Sequence, residues 1–359
     1  MKKKITLVSS GNGSITAAAD LMLQGHDVLV YNLEENKDKM EFLEKDIVLV
    51  EGDKRTTLKI PYTTDPVEAT RDAYMIMYPL PGYAIEYFAK ELAPHTNEDT
   101  IVFFNAAASF GPLVYEKATG IRPKYSIESH TLTYATRVDK KSNEIHLHLR
   151  VKEVFAASPN CDLTEELVKK LQEFYPVIEP AQDLIHVFLL NANPETHTAG
   201  CLLNAGRIDY SQGEFYLYKE GITKSTLKVM RAVAKERREI AKAYGYELKG
   251  ELESRLDNGY FEPTNKTFDN ENDRLQYHFN YSPIFRNIKG PSSVGSRYFI
   301  EDIAIGLTNW EKLAKVRNIK TPTVTALIQL GEIIEQRDYR QMGEEMIPWE
   351  LVTQCRIDF

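Results

Sequence analysis

The sequence predicts an α/β domain with a doubly wound, mostly parallel sheet, followed by an all-helical domain. Its 359 residues are more than one ordinary compact domain holds. Short apolar strands alternate with amphipathic helices in the first third, a pattern typical of right-handed βαβ units. After Pro180 the apolar residues recur at helical spacing instead. We therefore predict the α/β domain at 1–180 and the helical domain at 181–359.

The predicted strands of the parallel sheet are short apolar runs. They are Ile5–Val8, Val28–Tyr31, Ala73–Met77 and Ile101–Phe104. Alternating with them we predict helices over Ile15–Leu23 and Ala84–Leu92, and a hairpin of Ile47–Val50 with Thr56–Ile60. The helical domain is predicted to contain helices over 182–204, 222–244, 299–313 and 322–338. The polar, aromatic-rich stretch 246–283 is predicted to be a solvated insertion, with a lid over a site as the alternative.

Between Tyr125 and Phe155 the apolar residues alternate with period two, which indicates further strands. His146 and His148 fall on one face of such a strand, opposite its apolar residues. We interpret them as a solvated strand face, and no third residue with ligand spacing is near them. No metal site is therefore predicted.

Charge and cysteine content limit the classes of partner. The chain has 44 basic and 52 acidic residues, a net charge of −8, which disfavours nucleic acid and anionic membranes as partners. The apolar run after Lys2–Lys4 is too short for a secretory signal, and no run of 18 apolar residues could span a bilayer. Three widely spaced cysteines (Cys161, Cys201 and Cys355) are typical of reduced thiols. We expect a soluble cytoplasmic protein.

A turn of small residues follows the first predicted strand and leads directly into a helix. Backbone N–H groups at such a helix start, with the positive end of the helix dipole, bind a pyrophosphate. In the dinucleotide fingerprint G-x-G-x-x-G/A the three glycine positions fall on Ser9, Gly11 and Ser14, with Asn12 and an extra Gly13 between them. The strand–turn–helix context favours a Rossmann-type cofactor site over a plain glycine turn.

The second strand ends where such sites carry an acid for the ribose 2′-hydroxyl. Here that position is Asn32, which can hydrogen-bond a hydroxyl without repelling a 2′-phosphate. NAD is therefore slightly favoured, and NADP stays open. Pro79 and Asn105 follow the next two strands, where loops at the carboxyl edge of the sheet border the cofactor.

Two polar clusters interrupt the apolar pattern of the helical domain. Asn193 and His197 lie one turn apart on one helix face, and Pro194 between them predicts a kink or a helix start. Because buried polar groups need partners, this pair is expected to meet a ligand or other side chains. In the second cluster Ser296 is expected to cap a helix whose first turn holds Arg297. Arg297 there suits either an anion or an i,i+4 pair with Glu301.

The sequence resembles the octopine/nopaline (opine) dehydrogenase family over nearly its whole length. The resemblance lies in the glycine-containing turn, Glu128–Arg137, NANPETHTAGCLLNAGR, FYLYKEGIT, GPSSVGSRYFIEDIAIGL and the helix LAKVRNIKTPTVTALIQL. It implies a Rossmann domain joined to a helical domain, with substrates in the cleft between them. It also implies the NAD(P)H-dependent reductive condensation of an amino acid with a 2-oxo acid such as pyruvate.

The resemblance implies roles for particular residues. His197 and Asp302 match the family's proton-transfer pair, with His197 as general acid and Asp302 holding its tautomer. Arg297 would pair with a substrate carboxylate, and Asn193 would bind substrate or the nicotinamide ribose. His130 is expected either to line the amino-acid pocket or to lie at the surface, and Tyr134 is expected to bind substrate. Ser9, Ser14 and Asn32 depart from the residues usual at the family's cofactor site.

Two other functions stay open at this point. Another two-domain 2-oxo acid or hydroxy acid reductase, such as ketopantoate reductase, would use a lysine in the helical domain, whereas 182–204 contains none. A non-catalytic NAD(P)-binding sensor would bind cofactor without consuming it. The expected partners are small-molecule substrates, with a homodimer left open.

Overall fold

The computed structural model describes residues 2–105 and 108–355. They form two compact units: the first runs up to Phe188 and takes in the residues from Glu350, and the second is Leu189–Trp349. This division differs from the predicted boundary at 180. Apolar residues on both added segments pack within the first unit: Phe188 lies 4.9 Å from the Phe110 ring, and Val352 borders a small cavity with Phe110 and Leu113.

The first unit contains an eight-stranded sheet and a four-stranded sheet. The strands of the eight-stranded sheet are, in chain order, β1 (Lys4–Val8), β2 (Asp27–Tyr31), β5 (Tyr62–Thr63), β6 (Met75–Met77), β7 (Ile101–Asn105), β8 (Ser126–Ser129), β11 (Val154–Ala157) and β12 (Ile178–Pro180). The four-stranded sheet is made of β3 (Ile47–Glu51), β4 (Lys54–Leu58), β9 (Tyr134–Asp139) and β10 (Glu144–Arg150). The predicted hairpin is the antiparallel pair β3–β4.

The large sheet is parallel except where β8 meets β11. Its strand order is β12-β11-β8-β7-β6-β1-β2-β5. The chain therefore builds outward from β1 through β2 to β5, then returns to place β6 on the other side of β1. Such a reversal is the topological switch point, and ligands of doubly wound sheets bind at the carboxyl edge beside it. The predicted α/β class is confirmed.

The helices of the first unit connect the strands of the large sheet. They are α1 (Asn12–Leu23), α2 (Pro66–Thr70), α3 (Ile85–Leu92), α4 (Gly111–Thr119) and α5 (Thr164–Gln172). A 3₁₀ segment, Glu34–Glu44, follows β2. None of the helices among the described residues is long and apolar enough to cross a membrane.

One face of α1 is fastened to β9 by three polar contacts in register. The Asn12 side-chain oxygen accepts the Val138 N–H at 2.9 Å, the hydroxyls of Thr16 and Thr136 are 2.6 Å apart, and Tyr134 donates to Asp20 at 2.7 Å. Steps of four along a helix and of two along a strand each keep side chains on one face, so the three pairs form a continuous row. This row sets the position of α1, and with it the turn that precedes α1.

The second unit is helical, as predicted. Two helices, α6 (Leu184–Leu190) and α16 (Trp349–Gln354), cross the boundaries of this unit and lie mostly in the first unit. The helices within the second unit are α7 (Asn193–Leu202), α8 (Ala205–Ser211), α9 (Lys224–Ala243), α10 (Glu251–Asp257), α11 (Glu271–Tyr281), α12 (Arg297–Phe299), a π-helix (Ile300–Leu307), α13 (Thr308–Val316), α14 (Pro322–Glu335) and α15 (Tyr339–Met346).

Two segments of this unit differ from the prediction. The stretch 182–204 is two helices rather than one, because Pro194 begins a new helix at its first turn. The stretch 246–283, predicted to be a solvated insertion, contains α10 and α11. Its Arg255 is buried and donates to Glu195 and Thr196 of α7, at 3.3 and 2.7 Å. The stretch is thus part of the core of this unit.

The π-helix lies in the middle of the segment predicted as one helix over 299–313. A π-turn widens the helix and leaves carbonyls to be satisfied by other donors. Asn309 is buried, and its side-chain N–H groups donate to the carbonyls of Ala304 and Ile305, at 3.2 and 2.8 Å. Gly306 lets α7 approach closely, because a Cβ there would lie 2.5 Å from Pro194 Cγ.

We expect Gly306→Ala to lower the free energy of unfolding by about 1–3 kcal/mol, since the added methyl group would collide with Pro194. The matched control is Gly206→Ala in α8, where a Cβ would have no neighbour within 4 Å and helix propensity favours alanine. Urea unfolding followed by circular dichroism measures both variants. Equal stability of the two would contradict the tight approach at Gly306.

Candidate active site

The turn between β1 and α1 is shaped by hydroxyl groups. Ser9 has a positive φ of 75°, a conformation that favours glycine. Its hydroxyl is 3.0 Å from the Ser14 hydroxyl and accepts the Gly11 N–H at 3.3 Å. Ser14 in turn donates to the Val8 carbonyl at 2.6 Å. The side chains of the two serines at the predicted glycine positions are therefore hydrogen-bonded within the turn. They do not project into the space before the helix.

The N-terminus of α1 is suited to an anion. Gly11 is its N-cap without a side-chain cap, and no acidic residue occupies the first turn. The first N–H groups of a helix have no intrahelical partner, so they carry the uncompensated positive end of the dipole. Gly13 is buried, and a Cβ there would lie 3.1 Å from Pro79 Cβ and 3.2 Å from Leu132. Pro79 follows β6, so turn and proline meet at the switch point, and these residues fit a dinucleotide pyrophosphate.

Three predicted cofactor residues have their side chains occupied within the first unit. Asn32 is buried, donates to the Ser10 hydroxyl at 3.0 Å and accepts the Leu33 N–H. Asn105 is fully buried and donates to Thr133 at 3.0 Å. The Asn12 side chain faces β9, as described above. Asn32 still lies beside the turn through Ser10, whereas the contacts of Asn105 and Asn12 favour structural roles.

The predicted substrate residues of the first unit are also engaged. Tyr134 is buried in the α1–β9 row, and its hydroxyl lies 3.1 Å from that of Tyr175 as well as bonding Asp20. His130 follows β8, is buried, and its Nδ1 accepts the Phe155 N–H at 3.0 Å. These contacts favour structural roles for both residues over the predicted pocket lining.

The helical unit brings His197 and Asp302 together although 105 positions separate them in the sequence. His197 Nδ1 lies 2.9 Å from Asp302 Oδ2. His197 is on α7 and Asp302 on the π-helix, and their side chains are 12% and 7% exposed. A carboxylate only accepts hydrogen bonds, so Nδ1 carries the proton in this contact. This is the arrangement of a general acid–base with a carboxylate that fixes its tautomer.

The segment before Asp302 carries the second predicted cluster. Ser296 is the backbone N-cap of α12, but its buried hydroxyl makes no capping bond, so the expected side-chain cap is absent. Arg297 is exposed, and its guanidinium lies 5.7 Å from the centroid of the Tyr298 ring. Burial and the neighbouring Asp302 raise the pKa of Glu301 to about 7, and Arg297 opposes that shift. Arg297 is thus near enough to Glu301 to influence its charge.

Asn193 lies at the first turn of α7, one turn before His197. It is exposed, and its backbone N–H is bonded to the side chain of Asn191 at 3.0 Å. The sequence reasoning missed Tyr218, whose hydroxyl is 3.0 Å from His197 Nε2, and Tyr298, whose ring meets the imidazole edge-on at 4.9 Å. Neither tyrosine belongs to a spacing pattern, although both lie in segments that carry the resemblance, Tyr218 in FYLYKEGIT and Tyr298 in GPSSVGSRYFIEDIAIGL. Within the described ranges, no three His, Cys, Asp or Glu side chains are grouped as metal ligands.

Comparisons with known proteins show similarity to opine dehydrogenases in both sequence and fold. Residues 180–334 match the family described as NAD/NADP octopine/nopaline dehydrogenase, alpha-helical domain. An opine dehydrogenase of Arthrobacter sp. (strain 1C) is 26% identical over 349 residues, covering 96% of this chain and 94% of the relative. The structure of octopine dehydrogenase with NADH and pyruvate has a TM-score of 0.69 at 17% identity, covering 98% of each chain. Yersinopine dehydrogenase with NADP⁺ has a TM-score of 0.70 at 16% identity, covering 98% of this chain and 95% of that one.

A switch-point turn on a parallel sheet and a His–Asp pair in a helical unit define an NAD(P)-dependent oxidoreductase. Its helical part, residues 180–334, matches the octopine/nopaline dehydrogenase family, and over 96% of its length the chain is similar to an opine dehydrogenase.

Asn12→Asp tests the anion site at the start of α1. The aspartate keeps an oxygen for the Val138 N–H but adds a negative charge at the helix N-terminus. We expect the Kd for NADH or NADPH to rise roughly tenfold, while the free energy of unfolding is unchanged or slightly higher. Asn97→Asp, in the exposed loop before β7, adds the same charge at the opposite edge of the sheet and is the control. Fluorescence titration measures both, and an equal change in Kd would count against a local effect.

Proposed function

We propose that this protein catalyses the NAD(P)H-dependent reductive condensation of an amino acid with a 2-oxo acid, and the reverse oxidation of the product. The observation that carries the proposal is the 2.9 Å contact between His197 and Asp302. It lies within the residues that match the family's helical domain. Octopine dehydrogenase, which shares the fold, binds NADH and pyruvate, so pyruvate is the 2-oxo acid we propose.

The reaction needs a group that moves protons at the carbonyl oxygen of the 2-oxo acid. The amine adds to the carbonyl carbon, and the oxygen takes a proton to give a carbinolamine. A second protonation lets that oxygen leave as water, which forms the imine. In our proposal the protonated His197 is the acid in both steps and recovers one proton from the amine nitrogen, so the imine keeps its N–H and carries a positive charge. When bound, the reduced nicotinamide would supply a hydride to the imine carbon, which gives the secondary amine.

Asp302 stabilises the protonated imidazole and keeps its Nδ1–H in place through the cycle. Because both side chains are largely buried, their attraction is screened less by water and salt than that of a surface pair. Arg297 is proposed to pair with a substrate carboxylate, and Asn193 to hydrogen-bond substrate or the nicotinamide ribose. The exposure of both residues leaves them accessible to small molecules.

Cofactor binding is assigned to the turn after β1. Ser9, Gly11, Gly13, Ser14 and Pro79 are proposed to surround the pyrophosphate, which the α1 N-terminus would hold through backbone N–H groups. Relatives of this fold bind NADH in one case and NADP⁺ in another. Asn32 carries no charge, so it excludes neither. A cytoplasmic location and a homodimer stay predictions.

The first experiment measures NADH and NADPH consumption with pyruvate and each of the twenty amino acids, on the wild type and on His197→Ala. We expect turnover in the wild type and a loss of about 10²–10⁴-fold in kcat in His197→Ala, with the Kd for the cofactor unchanged. Asp302→Asn should also lower kcat, because it removes the charge that stabilises the imidazolium. His95→Ala, at an exposed position of the first unit, is the control. Cofactor binding without consumption across the panel would favour the sensor, and near-normal kcat in His197→Ala would remove the general acid.

Arg297→Ala is expected to raise the KM for the carboxylate substrates by roughly tenfold or more, with a smaller effect on kcat, since it removes a charge-assisted hydrogen bond. Arg286→Ala removes an exposed arginine from the same unit and serves as the control. Initial-rate kinetics with each substrate varied in turn give the two constants. An unchanged KM, together with a lower thermal midpoint, would instead support the local pairing of Arg297 with Glu301.

A further inference from the structure

Both ring nitrogens of His197 are already hydrogen-bonded. Nδ1 faces Asp302, and Nε2 lies 3.0 Å from the Tyr218 hydroxyl. An imidazole nitrogen has one in-plane bonding direction, taken either by a lone pair or by a proton. The only atom of His197 that can exchange a proton in catalysis is therefore directed at a tyrosine.

Packing holds the Tyr218 side chain in place, so the side chain does not rotate away from His197 to admit substrate. Its ring stacks on Phe285 with centroids 4.4 Å apart and lies parallel to Phe279 at 6.2 Å. Its backbone carbonyl accepts the Asn280 side chain at 2.7 Å, and the residue is 6% exposed. Moving the hydroxyl away from His197 would break aromatic contacts worth about 0.5–1.5 kcal/mol each.

We propose that Tyr218 is a catalytic residue that passes the proton from His197 to the substrate oxygen. This inference rests on the proposed function. A hydroxyl has one donor and two acceptor sites, so it can accept Nε2–H while donating its own O–H. The transfer is balanced: the Tyr218 O–H bond breaks as the substrate O–H bond forms, and the Nε2–H bond breaks as a new Tyr218 O–H bond forms. One proton leaves the imidazolium, and Tyr218 ends as it began.

The surroundings of Tyr218 require the two transfers to be simultaneous. Burial raises the pKa of this phenol well above its usual value of 10, so a free tyrosinate would be a costly intermediate. A proton supplied by His197 as the phenolic proton departs avoids that charge. Asp302 then holds the remaining Nδ1–H, and the imidazole stays oriented for reprotonation.

Tyr218→Phe keeps the aromatic stack and removes only the hydroxyl. We expect kcat for the reductive reaction to fall by about 10²-fold or more, while the Kd for NADH and the thermal midpoint stay close to wild type. Tyr210→Phe makes the same chemical change at an 88% exposed position of the same unit and should keep wild-type kcat. A merely structural role would lower the thermal midpoint and kcat together.

A proton inventory on the wild-type enzyme tests the relay without any substitution. Single-turnover NADH consumption is measured in mixtures of H₂O and D₂O. Two protons in flight give a bowed dependence on deuterium fraction, and one proton gives a straight line. We expect a bowed plot for the wild type and a straight one for Tyr218→Phe. A straight wild-type plot, or wild-type kcat in Tyr218→Phe, would overturn the relay alone, whereas no turnover of any substrate pair by the wild type would overturn the proposed function and the relay with it.

Discussion

The 2.9 Å contact between His197 and Asp302 is the constraint on which the rest of the helical unit depends. A buried carboxylate is costly unless it is paired, so the helix that carries Asp302 has to be held in one position. That helix is a π-helix, an arrangement common at functional sites because it redirects side chains. Asn309 satisfies its carbonyls, and Trp349 donates to the Asn309 side-chain oxygen at 2.8 Å. The absence of a side chain at Gly306 lets the π-helix pack closely against Pro194 of α7.

The first unit meets a similar requirement at its own site. A phosphate-binding turn works only if the backbone of the following helix is fixed and close. The row formed by Asn12, Thr16 and Asp20 against β9 fixes the helix, and the missing Cβ of Gly13 allows the approach to Pro79. The polar side chains along α1 therefore fix the position of the helix. The N–H groups of its first turn, which have no intrahelical partner, are available for an anion.

For several residues the sequence predicted the strand or turn that carries them but not the partners of their side chains. The strand–turn–helix at 4–23 and the switch of strand direction followed from apolar periodicity, which depends on local sequence. Asn105 was selected because loops at the carboxyl edge of such a sheet border the cofactor, and His130 and Tyr134 were selected through the resemblance of their segment. The structure gives each a buried partner instead, and whether a buried polar group is satisfied depends on residues distant in sequence. The same limit concealed Tyr218, whose importance comes only from its distance to His197.

The sequence by itself determined the two-part architecture, the strand–turn–helix at 4–23 and the resemblance to opine dehydrogenases, because hydrophobic spacing and short motifs are local properties. It also pointed to His197 and Asp302 through the resemblance of their segments. Only the tertiary structure decided that these side chains touch, that a π-helix carries Asp302 and that the Tyr218 hydroxyl is hydrogen-bonded to Nε2 of His197. The contact with Asp302 follows from the packing of α7 against a π-helix about a hundred residues further along the chain, and the contact with Tyr218 from a loop 21 residues away. No local sequence pattern encodes either distance.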